Sequence, residues 1–221
     1  MGHIIEILSN YGDFLLRGVL LTLQASFLGS VFALIFGILI GIARVYGGKR
    51  LSAVLGVPVD IFRAIPLLVI VIWTFYALPV FLNVFLTPMI AGVLSLTVRY
   101  AATISEAVRG GILSIAPGQA LAGSALGITK SRVIVRIVLP QALIRMIPPV
   151  TSQIVSLVKN SSLLYVIAVT ELMRQAETLN AQLAQPLAIF TIIAGIYFVI
   201  AYPITVISEI IYKRLYSRAA N

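Results

Sequence analysis

The sequence predicts an all-α integral membrane protein with five transmembrane helices. Three observations carry that prediction. First, 60% of the 221 residues are hydrophobic and 10% are charged, with a mean hydropathy of +1.08, whereas a soluble domain carries about 25% charge. Second, long stretches free of charge recur at the length that a helix needs to cross about 30 Å of hydrocarbon. Third, the basic residues cluster on alternate connections, which is the asymmetry that orients membrane proteins. This composition excludes a soluble globular enzyme and a disordered chain, and the absence of cysteine excludes a disulfide-stapled one. A net charge of +9 is too scattered for a phosphate-tracking stripe and is better explained by orientation in the bilayer.

Residues 1–17 contain Glu6 and Asp13 and predict an interfacial segment outside the membrane rather than a cleavable signal. The charge-free run between Arg17 and Arg44 predicts a first span over about 18–43. The run between Arg63 and Arg99 is too long for one helix, and Leu78-Pro79 and Thr87-Pro88 mark a hairpin within it. Spans over about 54–78 and 88–109 follow. The segment 110–129 is too rich in Gly, Ser, Gln and Pro for a lipid-facing helix, so short surface helices are expected within a loop at 110–141. A fourth span covers about 142–168, its polar Lys159 shielded by protein. A fifth covers about 187–210, ahead of a tail at 211–221. Segments 44–63, 109–145 and 213–218 hold Arg44, Lys49, Arg50, Arg63, Arg109, Lys130, Arg132, Arg136, Arg145, Lys213, Arg214 and Arg218, against Arg17 and Arg174 on the other side. Twelve against two places the N-terminus outside and the C-terminus in the cytoplasm. No internal repeat is visible, which weighs against an inverted-repeat carrier.

Ala25, Gly29, Ala33, Gly37 and Gly41 recur every four residues on the first span. Such a stripe admits close approach of another helix, from this chain or from a second subunit. In the loop, Ala122, Ala125, Leu126 and Val133 form an apolar face and Gly127 supplies a turn with positive φ. That pattern fits an amphipathic hairpin on anionic lipid and equally a docking element for a cytoplasmic partner.

The residues of this loop resemble a known family. Glu106-Ala-Val-Arg-Gly-Gly-Ile-Leu-Ser-Ile, Pro117-Gly-Gln119, Ala125-Leu-Gly127 and Leu139-Pro-Gln-Ala142 resemble the cytoplasmic loop of type I ABC importer permeases, more narrowly the polar amino-acid uptake group. Phe62-Arg-Ala-Ile-Pro66-Leu, Lys159-Asn-Ser-Ser-Leu163 and Glu171-Leu-Met-Arg-Gln175 match further stretches, over about residues 15–210. The family loop usually reads Gln-x-Glu-Ala-Ala; here Leu121 and Gly123 stand in place of the acid and the second alanine. The resemblance implies a permease fold in a bacterial inner membrane, moving polar amino acids, acidic ones included, by alternating access. It implies a second permease chain, two ATPase subunits that bind ATP and magnesium, and an external, periplasmic or lipid-anchored, substrate-binding protein. Gln119, Leu121, Ala122, Ala125, Leu126, Gly127 and Ile128 would then form the coupling helix gripped by the ATPase. No cofactor is expected in this chain, which has no G-x-x-x-x-G-K-[ST] loop.

Charge at membrane depth costs about 2.5–3.5 kcal/mol and normally faces a cavity or partner. Arg99, Thr103 and Glu106 share one helix face, and Gln153, Ser156, Leu157 and Asn160 share another. The resemblance places a substrate pocket between these two helices, matching Arg99, Gln153, Leu157 and Asn160; Thr103 and Ser156 join by sharing those faces. Related chains often carry aspartate where Asn160 stands. Arginine pairs well with carboxylate, so glutamate, aspartate or glutamine is the expected substrate rather than lysine or arginine. The competing reading pairs Arg99 with Glu106 or a partner chain. Lys159 is read as an anchor to backbone carbonyls, and Glu171 with Arg174 as an outer surface pair or a contact for the binding protein. Two rival functions stand beside the importer: a stand-alone channel or secondary amino-acid carrier, and a membrane-embedded enzyme. The carrier needs no docking loop of this length. The enzyme needs an acid–base or metal set, and His3 is the only histidine.

Overall fold

The computed structural model describes residues 2–115, 118, 125 and 127–220, and these are helical apart from short turns. Helix α1 runs without interruption from Gly2 to Tyr46. The sequence reading separated an interfacial segment at 1–17 from a span at 18–43. The helix instead passes straight through that boundary, because Asp13 and Arg17 lie four residues apart on its exposed side and no proline interrupts it. At 1.5 Å per residue α1 is about 67 Å long.

The chain turns at Gly48, which has φ +82°, into α2 (Gly48–Ala64). Here the expected second span, 54–78, is corrected. Helix α2 stops at Ala64, Ile65 is extended with ψ 135°, and the chain restarts as α3 (Leu67–Ile72). A π turn (Trp73–Ala77) and α4 (Leu78–Leu82) follow. The two limbs meet at 104°. Pro66 explains the break, since its ring drives the preceding residue out of the helical region. Counting charge-free length alone passed over it. The hairpin break also moves: Pro79 sits inside α4, and the turn comes at Asn83, with φ 51°.

Helix α5 (Pro88–Leu113) is opened by the Thr87 hydroxyl, which accepts from the Ile90 amide at 3.3 Å, with Pro88 in the first turn. Beyond the loop come α6 (Lys130–Val133), a π turn (Ile134–Val138) and α7 (Leu139–Asn160). A 3₁₀ segment (Ser161–Ile167) ends with Ala168 left-handed at φ 60°. Helix α8 (Leu172–Leu183) leads to α9 (Pro186–Ala220), which continues through the expected tail. Among the described residues three helical stretches are long and apolar enough to cross a membrane unaided: Ile4–Tyr46, Ser131–Ile167 and Pro186–Ser217. A fourth qualifies if the bent α2 and α3–α4 limbs are taken as one span. Helix α5 has 26 residues but carries Arg99, Glu106 and Arg109, and it is wrapped by protein instead.

The main core forms where α1 lies along α5. Ala25 and Ala33 are fully buried, Gly29 rests on Leu96, Gly37 on Ile104 and Gly41 on the Ser105 backbone. The small-residue stripe is therefore spent within the chain. A second core joins the N-terminal part of α1 (Ile7, Leu15) to Leu172, Ala176 and Leu179 of α8 and to Ile189 and Ile193 of α9. A methyl group at Gly41 would stand 2.7 Å from the Ser105 carbonyl oxygen, and one at Gly12 would meet nothing within 4 Å. Gly41→Ala is expected to cost about 1–3 kcal/mol by overpacking. Gly12→Ala is expected to leave the thermal midpoint in detergent unchanged; equal midpoints for the two variants would refute this packing.

Candidate functional site

Three polar groupings interrupt the apolar body. The first surrounds Arg99 on α5. The Arg99 Nη1 donates to the carbonyl oxygens of Phe62 at 3.0 Å and Arg63 at 2.8 Å. The break at Pro66 leaves the last carbonyls of α2 without helical partners, and Arg99 reaches across to satisfy two of them. Its expected alternative partner, Glu106, is engaged elsewhere. On the next residue, the buried Tyr100 hydroxyl accepts from Asn160 Nδ2 at 2.6 Å, and Thr103 Oγ1 donates to the Tyr100 carbonyl at 3.1 Å. Asn160 is thereby joined to α5.

The other residues expected beside them separate. Leu157 is fully buried and packs towards Gly29 of α1. Gln153 is half-buried. Ser156 turns towards Lys159 and lines a cavity of about 330 Å³ between α7 and α9. The helical repeat explains the split. Ser152, Ser156 and Lys159 fall within a narrow arc of α7, whereas Gln153 and Asn160 lie on a neighbouring arc nearer α5. Spacing at i, i+3, i+4 and i+7 groups residues but does not say which neighbouring helix divides the group.

The second grouping was not anticipated. Glu106 receives Arg44 Nη1 of α1 in an ion pair, and Arg109 donates to its other oxygen from Nε at 3.1 Å and Nη2 at 2.9 Å. Arg44 also lies against Gly56 of α2, so the ion pair between α1 and α5 sits where three helices meet. The available signal was Glu106 as the only acid in α5, opposite the first cation after the first span.

The third corrects the Glu171 reading. Glu171 is fully buried. It caps α8 by accepting from the Met173 amide at 2.8 Å and the Arg174 amide at 2.9 Å, and it accepts from Tyr197 Oη at 3.0 Å. The Leu172 amide donates to Thr22 Oγ1 of α1 at 3.1 Å. Glu171 lies in the connection between α7 and α9, outside the spanning segments. Burial pushes its carboxyl up to about 7 against the opposing pull of these hydrogen bonds. Arg174 is exposed and takes no part through its side chain.

Of the coupling-loop residues, Gln119, Leu121, Ala122 and Leu126 lie outside the described residues. Ala125 is exposed, Gly127 has φ +73°, and Ile128 packs against the main core. Arg145 of α7 donates to the Ser114 carbonyl at 2.6 Å, so the two ends of this loop are pinned together.

Residues 33–219 match the family model described as the binding-protein-dependent transport system inner membrane component. The chain belongs to this family. The inner membrane component is 36% identical over 205 residues to the glutamine transport system permease protein of Escherichia coli strain K12, covering 92% of each chain. It is 35% identical over 199 residues to the L-cystine transport system permease protein of Bacillus subtilis, covering 90% of this component and 85% of the relative. Its fold matches a crystal structure of an amino acid ABC transporter with histidines at a TM-score of 0.86, 25% identity and coverage of 93% and 96% of the two chains. The component is thus a multi-pass inner membrane permease of an ABC transporter, which removes the stand-alone channel, the secondary carrier and the embedded enzyme as readings.

Proposed function

We propose that this permease imports polar amino acids of the glutamine and glutamate type, as one of two permease chains driven by two separate ATPase subunits and fed by an external binding protein. The similarity to glutamine and cystine permeases over about nine-tenths of their length carries this reading. ATP and magnesium belong to the ATPases. The basic asymmetry of the connections supports an outer N-terminus and a cytoplasmic C-terminus, with α5 completing five spans. The loop at 110–141 then faces the ATPases, with the turn at Gly127 presenting its apolar residues.

In this reading Arg99, Thr103, Gln153, Ser156, Leu157 and Asn160 border the substrate path. Arg99 contributes a fixed positive charge. With Nη1 held by α2, the remainder of its guanidinium fork is oriented for a carboxylate or amide oxygen. The test is reconstitution of the complex in vesicles. Uptake of glutamine or glutamate that requires ATP and the binding protein is the expected result; uptake persisting in vesicles emptied of nucleotide would overturn the proposal. Arg99→Ala is expected to raise KM for uptake at least about tenfold, the worth of one charge-assisted contact. Unchanged affinity and selectivity would remove Arg99 from the path.

A further inference from the structure

The junction of α1, α8 and α9 holds an acid that the substrate path does not use. Glu171 is fully buried, as are Thr22 of α1 and Ser161 at the start of the 3₁₀ segment. Its two oxygens take the Met173 and Arg174 amides and the Tyr197 hydroxyl. Tyr197 also lies within hydrogen-bonding reach of Thr22 and Ser161. A carboxyl, a phenol and two hydroxyls thus join four elements in one cluster. The packing beside it is tight: a methyl group on Gly18 of α1 would stand 2.8 Å from Gln175 Cγ and 2.9 Å from Leu172 Cα.

Among the described residues no cation pairs with Glu171. Tyr197 is the titratable group that touches it. On α8, Arg174 is exposed and Glu177 half-buried; on α1, Asp13 and Arg17 are exposed; on the 3₁₀ segment, Tyr165 is half-buried. A carboxylate ionised in this junction has neither a counter-charge nor water around it, and an open junction would supply the water. A source lies close by. Tyr197 borders a cavity of about 350 Å³ that has Lys159 on its α7 wall, ample for several water molecules.

The helix that Glu171 caps is short and lies between two strained turns. It has 12 residues, and Ala168 before it (φ 60°) and Ala184 after it (φ 52°) are both left-handed. A residue other than glycine keeps that conformation only where its surroundings impose it. Here the surroundings are the packing of Leu172, Ala176 and Leu179 on α1 and α9 and the hydrogen bonds of Glu171. Loosening this junction frees α8 to move as one piece about its two ends.

We propose that Glu171 is a proton-binding site that locks α8: the closed junction holds one proton on the carboxyl, and displacement of α8 releases it to water beside Tyr197. Acid keeps the junction closed and alkali opens it. In the orientation proposed above, the pH outside the cell is the input, and to that extent the device rests on the transport reading.

The chain has no cysteine, so an introduced thiol reports the opening. Leu179→Cys, buried on α8, is treated with a maleimide in the purified permease–ATPase complex. Its rate is divided by that of the exposed Ser9→Cys, which cancels the pH dependence of the thiol. The ratio is expected to rise at least about tenfold between about pH 5 and pH 7 and then level off. Glu171→Gln is expected to flatten this profile. Tyr197→Phe removes a hydrogen bond that favours the ionised form and is expected to move the levelling point to higher pH. A flat profile with Glu171 in place, an equal rise in the amide variant, or an unmoved levelling point in the phenylalanine variant overturns the site. So does Val71→Cys, fully buried in the main core, labelling as fast as Leu179→Cys, because whole-protein unfolding would then expose both. In sealed right-side-out vesicles an impermeant maleimide is expected to give the same profile against outside pH. The profile appearing only in inside-out vesicles overturns the proposed orientation and upholds the proton site.

Discussion

Glu106→Ala is expected to lower stability by about 3 kcal/mol, within the range for breaking a buried ion pair by removing one partner. The carboxylate is 17% exposed and its partner Arg44 10%, so the arginine would be left charged in a site that water hardly reaches. Arg44 already holds a buried Nε with no hydrogen-bond partner, which leaves it no reserve. The Arg109 arm, 36% exposed, contributes much less. The double variant Arg44→Met with Glu106→Leu is expected to recover part of the loss, because it removes both desolvated charges together. Thermal unfolding in detergent checks both. A Glu106→Ala protein within about 0.5 kcal/mol of wild type, the span of ordinary surface substitutions, would show that the three-helix junction does not depend on this carboxylate.

Stability is also expected to fall as pH rises, through Glu171. Burial pushes its carboxyl up to about 7 in the folded chain, from an ordinary value of 4.5. Below the lower value both states are protonated and nothing is lost. Between the two values the unfolded chain ionises while the folded chain keeps its proton, so folding weakens with each step of pH. Above about 7 the loss levels off. Linkage at 1.36 kcal/mol per pH unit sets the whole drop at about 3 kcal/mol. Unfolding midpoints between pH 4.5 and 8 should trace this slope, and Glu171→Gln should flatten it while keeping an oxygen for the Tyr197 hydroxyl. A slope that persists in the amide variant would locate the pH dependence in another group.

What could be read from the chain depended on the range of the interaction. Apolar length located α1, the α7 stretch and α9, because crossing a bilayer is a property of a contiguous segment. Proline was read where it stood between hydrophobic runs, at Pro88, and missed where it stood inside a family motif, at Pro66, so one expected helix became two limbs. Periodicity put the polar set of α7 on one face, and α9 divides that set from a distance in sequence that no local pattern reports. Arg99 was singled out for its depth, but its partners are carbonyls that exist only because α2 ends early. The Glu106 junction was hidden for the same reason: Arg44 and Glu106 stand 62 residues apart. The loop motifs announced the family plainly, since their order and spacing are a local matter.

Helix α1 is about twice as long as the hydrocarbon is thick, and no proline softens it. Near one end Arg44 binds it to Glu106, and further along Thr22 binds it to the start of α8. Such a beam works as a seesaw. In the orientation proposed above, a sideways push at the Arg44 end would be carried along the unbroken helix to the contact at Thr22 and so to the start of α8.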